Sequence, residues 1–232
     1  MTEGREGKRA LKRHLLEIIR SDDWEERLVE LDTLPPVQVI NIFISFFCDT
    51  DEEIKWRVVT ATGSMVSRRA TEDMESARVI MRRLMWTLNC ESGGIGWGAP
   101  EAMGEIMYRN DVLAREFARI LVSYAIPASD NFLELPALQR GVLWGLGRLS
   151  QAHPELIQDV TTVLPFYLSS DDASLRGLGA WLTGAMKETE LAGVLKTLVD
   201  DEAYMDIYRD GTMQKRQVRD MAREALTIME AR

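Results

Sequence analysis

Glu101 and Glu105 stand one helical turn apart, a spacing that puts both carboxylates on one helix face and suits metal binding or acid–base work. The same pairing is routine on solvated helices. The chain's two histidines, His14 and His153, are remote from the pair in sequence, so a His–carboxylate metal site has no clear candidate. Just upstream, Glu91 to Glu101 reads ESGGIGWGAPE, with four glycines around Trp97 ahead of a helix that starts near Pro100. Backbone N–H groups in such a loop could face an anion. However, no strand precedes the loop, no Lys-Ser/Thr pair follows it, and Glu91 and Glu101 would repel phosphate, so a tight glycine-permitted link between helices is the simpler account. Cys48 and Cys90 each end an apolar segment a few residues ahead of a tryptophan, which suggests either a redox or metal pair or two small buried hydrophobes.

Helices must position these residues. Apolar side chains recur at i, i+3, i+4 and i+7, Pro and Gly fall between the apolar segments, and alternation of period two is hard to find. The pattern predicts an all-α chain with no sheet, with helices at roughly 8–20, 23–32, 36–48, 52–68, 72–90, 99–108, 111–125, 135–152, 154–168, 172–187, 189–200 and 213–231. Every second helix falls into a shared frame: WRVVTATG from Trp56, WGAPEAMG from Trp97, RGVLWGLG from Arg140, RGLGAWLT from Arg176 and RDMAREAL from Arg219. Each starts with Trp or Arg and carries a small or apolar residue three on. The anchors lie about 40 residues apart, the period of stacked two-helix repeats, in which one hairpin cannot cover its own apolar face. Gly104, Gly147 and Gly184 would let neighbouring helices approach closely.

The segments ALQRGVLWGLGRLSQAHPELI and DDASLRGLGAWLTGAM resemble HEAT repeats of the short bacterial kind found in phycobilisome lyases. The resemblance spans about residues 37–230 and implies a right-handed α-α superhelix of about five hairpins. In that reading the chain is one repeat domain, with a cap at 1–35 and repeats at 36–70, 71–109, 110–152, 153–187 and 188–232. Leu11, Leu15, Ile18 and Ile19 give the cap its apolar stripe, continued by Trp24, Leu28 and Leu31. The resemblance also implies that Arg140, Arg176 and Arg219 stack with Asp171 and Asp172 in a structural ladder along the turns.

The formal charge of −9 opposes phosphate backbones, which disfavours bulk nucleic acid as a partner despite the basic cluster Lys8, Arg9, Lys12 and Arg13. With no apolar stretch long enough to span a bilayer and no leader pattern, the expected location is cytoplasmic. Nothing points to a resident cofactor or metal.

Two functions remain: a scaffold that binds a protein or peptide on the concave groove lined by second helices, or an enzyme on the same architecture, as in bilin lyases and alkylpurine DNA glycosylases. The glycosylases need a cationic groove, which the acidity of this chain opposes. On a 3.6-residue period, positions one, four and eight past each anchor share a face. They are Gly98, Glu101 and Glu105; Gly141, Trp144 and Arg148; and Gly177, Ala180 and Gly184, with Trp181 at the edge. The expected binding set is therefore Trp97, Glu101, Glu105, Trp144, Arg148 and Trp181. The open alternative puts Trp144 in the core between repeats.

Overall fold

The computed structural model describes residues 2–88 and 96–231, with side chains from residue 7 on. Helix α1 (Thr2–Arg20) and the short α2 (Trp24–Arg27), followed by a 3₁₀ segment at Leu28–Thr33, cap one end. They bury Leu15, Ile18, Ile19, Trp24, Leu28 and Leu31. Helical pairs follow: α3 (Pro36–Phe46) with α4 (Glu52–Glu72), α5 (Met74–Leu88) with α6 (Ala99–Arg109), and α7 (Asp111–Ser123) with α8 (Pro136–Ser150). Local chemistry sets their starts. Pro36 and Pro136 open α3 and α8, where the missing N–H costs nothing. The Asp51 carboxylate accepts from Glu53 N at 3.0 Å, and Asn110 Oδ1 accepts from Leu113 N at 3.0 Å, capping α4 and α7.

The last two pairs have degraded first members. Residues 154–168, expected as one helix, are a 3₁₀ stretch at Pro154–Val163 followed by α9 (Leu164–Leu168). Pro165 has no N–H to continue an α-helix and instead occupies the first turn of a new one. Helix α10 (Ala173–Ala185) is the partner, capped by Asp172 through Ser174 N at 2.8 Å. In the final pair, α11 (Ala192–Thr197) is short and α12 (Val218–Glu230) closes the row.

Helices α4, α6, α8, α10 and α12 pack each on the next, forming one face of an α-solenoid. Glycines set the spacing of this row. A Cβ on Gly104 would run into the backbone of Gly145 on α8, one on Gly147 into the Trp181 ring, and one on Gly184 into Ala225 of α12 at 2.7 Å. The arginine anchors brace the turns. Arg140 Nε donates to Asp172 at 3.0 Å, Arg176 Nε to Asp201 at 2.7 Å and a terminal nitrogen of Arg219 to Glu202 at 2.9 Å. Arg176 also donates to the carbonyl of Asp171, at 3.0 Å.

One element departs from the expected absence of sheet. Strands β1 (Tyr204–Arg209) and β2 (Thr212–Gln217) pair antiparallel between α11 and α12, so residues 213–217 are strand where helix was expected. The two-residue turn is Asp210-Gly211, both at positive φ (53° and 77°), the geometry that suits the right-handed twist of a hairpin. Asp-Gly between two such segments was the available signal, overridden in the sequence reading by the helical period around it.

Candidate functional site in the concave cleft

The hairpin lies against the row of second helices. Met205, Ile207 and Tyr208 of β1 are buried there, and Met205 sits on Gly177 of α10, so close that no Cβ would fit. The Tyr208 ring stacks on Trp56 of α4, with centroids 4.9 Å apart and planes within 6°. Trp56 in turn packs on Trp144 of α8 at 4.5 Å. Trp144 Nε1 donates to the backbone carbonyl of Tyr208 at 2.8 Å. Trp144 is thus buried, 5% exposed, within the hydrophobic core, where it forms the floor of a groove that β1 crosses.

Trp144 lines two cavities. The larger, about 660 Å³, opens between the starts of α4, α6, α8 and α10 and the hairpin. Trp56 and Trp144 form its aromatic wall, and Trp97 stands at its mouth, 38% exposed. Gly98 holds Trp97 there. Its φ of +70° excludes most side chains, and a Cβ would meet the Phe47 ring. Inside lies Glu101, 6% exposed, whose Oε2 is buried against Gly141 and has no hydrogen-bond partner among the described residues. Burial pushes the Glu101 carboxyl above the usual carboxylate range, and Lys55 partly opposes that shift. Lys55 Nζ lies 5.2 Å over the Trp56 ring and 3.4 Å from Glu52, and Trp56 Nε1 donates to Glu52 at 3.1 Å.

The smaller cavity, about 320 Å³, is lined by Glu105, Arg148 and Trp181. Glu105, 2% exposed, accepts from Arg109 Nε at 2.7 Å and from Arg148 Nε at 2.6 Å. The Arg148 guanidinium lies 3.5 Å over the Tyr108 ring. Trp181, 6% exposed, packs on Gly147, with the Arg209 guanidinium 5.7 Å over its ring.

The six expected residues therefore divide between two adjoining chambers. Trp97 and Glu101 lie in one, Glu105, Arg148 and Trp181 in the other, and Trp144 between them. Glu101 and Glu105 do not act as a pair, because their carboxylates face different cavities. Among the described residues, no group of three or more His, Cys, Asp or Glu is disposed to hold a metal. Cys48 is exposed at the larger cavity, whereas Cys90 and Gly93, Gly94 and Ile95 of the glycine loop lie outside the described residues. The sequence reading missed Tyr208, Met205 and Lys55, all of which owe their place to the hairpin or to the first turn of α4.

No protein-family model matches the chain, and no curated protein matches it. Among solved structures, an engineered protein is similar at 15% identity, covering 95% of this chain and 96% of its own, with a TM-score of 0.51. A designed armadillo repeat protein solved in complex with the peptide (KR)4 has 15% identity, coverage of 93% and 98%, and a TM-score of 0.49. An archaeal HEAT-like repeats protein from Thermococcus onnurineus NA1 has 13% identity, coverage of 95% and 97%, and a TM-score of 0.36. In fold, the chain is a HEAT/armadillo-like α-solenoid of stacked helical pairs. No described helix is long and apolar enough to cross a membrane.

Proposed function

We propose that this chain is a non-catalytic adaptor whose concave cleft receives an extended segment of a protein or peptide partner. One observation carries the reading. The second-helix face already holds an extended strand, β1, by a hydrogen bond from Trp144 Nε1 to a backbone carbonyl and by stacking of Tyr208 on Trp56. Main-chain hydrogen bonds combined with side-chain pockets are a recurring way of recognising extended chains. Beside β1, the cavity of about 660 Å³ continues the same face and remains open. Its volume falls within the ~300–1,000 Å³ usual for ligand sites.

The test is site-specific photo-crosslinking. A benzoylphenylalanine at position 97, at the cleft mouth, and another at Val112, exposed at the start of α7, are compared against peptides selected from a random display library on the wild-type protein. Selected peptides are expected to crosslink from position 97 and not from position 112. Equal labelling at both positions, or labelling at 112 alone, rejects the cleft as the receiving surface.

A further inference from the structure

We propose that the Glu101 cavity is a recognition site for a single organic cation, a guanidinium or primary ammonium on an aliphatic stem. The inference rests on the cleft reading above and specifies what the cleft selects. Its starting point is the Glu101 carboxylate, more than nine-tenths buried, which lines the cavity and leaves Oε2 without a hydrogen-bond partner among the described residues. A buried carboxyl with no partner is costly, and the cost falls when a complementary cation enters with its own donors.

The walls favour the same class of ligand. Trp56, Trp97 and Trp144 offer aromatic surface, and the Lys55 ammonium over the Trp56 ring shows that this surface accommodates a cation. Charge runs the same way. Asp49, Glu52, Glu101 and Asp206 line the cavity against Lys55 and Arg140, and both bases are engaged, Lys55 with Glu52 and Arg140 with Asp172. An anion would meet an acidic lining, and a purely apolar ligand would leave the Glu101 oxygen unpaired.

Two sources carry this chemistry: an Arg or Lys side chain on a partner segment, and a free small amine. The experiment separates them. Isothermal titration calorimetry on the full chain uses agmatine for the free source and a capped pentapeptide, Gly-Gly-Arg-Gly-Gly, for the side chain, with the citrulline pentapeptide as the neutral isostere. At least one cationic probe is expected to bind with Kd near or below ~1 mM, and the citrulline peptide about tenfold or more weaker than the arginine peptide if that is the source.

Glu101→Gln, confirmed as folded by its thermal transition, is expected to lose at least about tenfold in affinity for the cationic probe. Wild-type affinity is also expected to rise with pH as Glu101 ionises, while that of Glu101→Gln stays flatter. Lys55 and Glu52 from α4 act directly on Glu101, and the other charged groups lining the cavity are Arg140 from α8, Asp49 from beyond α3 and Asp206 from β1; among the described residues, α5 and α7 contribute none. Preference of agmatine over the peptide assigns the site to a free amine, and the reverse assigns it to a side chain. Equal binding of arginine and citrulline peptides with no agmatine binding, undiminished binding by Glu101→Gln, or no binding of either cation overturns the proposal. Crosslinking from position 97 to peptides without basic residues would leave the partner cleft standing while this inference falls.

Discussion

Glu101 and Glu105 are the same residue type on the same helix, one turn apart and both buried, yet their surroundings are opposite. Glu105 is held between Arg109 on its own helix and Arg148 across on α8. Glu101, which lines the larger cavity, meets Gly141, two turns earlier on α8, and its buried Oε2 has no hydrogen-bond partner among the described residues. The carboxylate in the Glu105 chamber is ion-paired, and the one in the Glu101 chamber has an oxygen without a hydrogen-bond partner among the described residues. Helical spacing decides which face a side chain occupies, but the residue arriving from the next repeat decides whether that face meets an ion pair or a cavity.

Three substitutions break or sharpen this contrast. Trp144 divides the two chambers and anchors the hairpin, so Trp144→Ala should have the largest effect. A loss of about 3–5 kcal/mol is expected in urea denaturation, with loss of hairpin packing visible as altered near-ultraviolet dichroism. Glu105→Ala leaves Arg109 and Arg148 facing each other without their shared carboxylate. Because both arginines are partly solvated, about 3 kcal/mol is expected, the lower end for breaking a buried pair. A loss below about 0.5 kcal/mol would make the clamp no different from a surface contact.

Glu101→Gln should do the reverse, and only at higher pH. Because burial raises the folded-state pKa of Glu101, the unfolded chain gives up this proton first as pH rises. The stability this group contributes is therefore present below the usual carboxylate range and declines as pH climbs through its raised value. Glu101→Gln removes that decline, so it should raise the denaturation midpoint near pH 8 and leave it little changed near pH 4. A variant less stable than wild type at pH 8 would mean that Glu101 is satisfied in the folded state and the chamber is not poised for a cation.

The repeat architecture was legible in the sequence because it rests on local rules applied many times. The Trp or Arg anchors, the small residues that seat adjacent helices and the Pro or Asp starts each act within a few residues. The structure seats Gly104 on Gly145 and Gly147 on Trp181 for the reason the spacing suggested. The hairpin was less legible. Its Asp210-Gly211 turn is a strong local signal, but it lies in a stretch whose neighbours carry helical periodicity.

What the residue order settles here is the helical period, the repeat length and the set of side chains on the second-helix face, since each follows from 3.6 residues per turn and from hairpins that must stack to cover their apolar faces. What it leaves to the tertiary structure is the division of that face. Trp144 becomes a groove floor only because β1, 64 residues later, lays the Tyr208 carbonyl against its indole nitrogen. Glu105 is ion-paired across the repeats, and the Glu101 Oε2 has no partner among the described residues, because α8 brings Arg148 to one and Gly141 to the other. Partners so distant along the chain meet through packing, and the electrostatic fate of a buried carboxylate depends on the groups within a few ångströms of it, not on its neighbours in sequence.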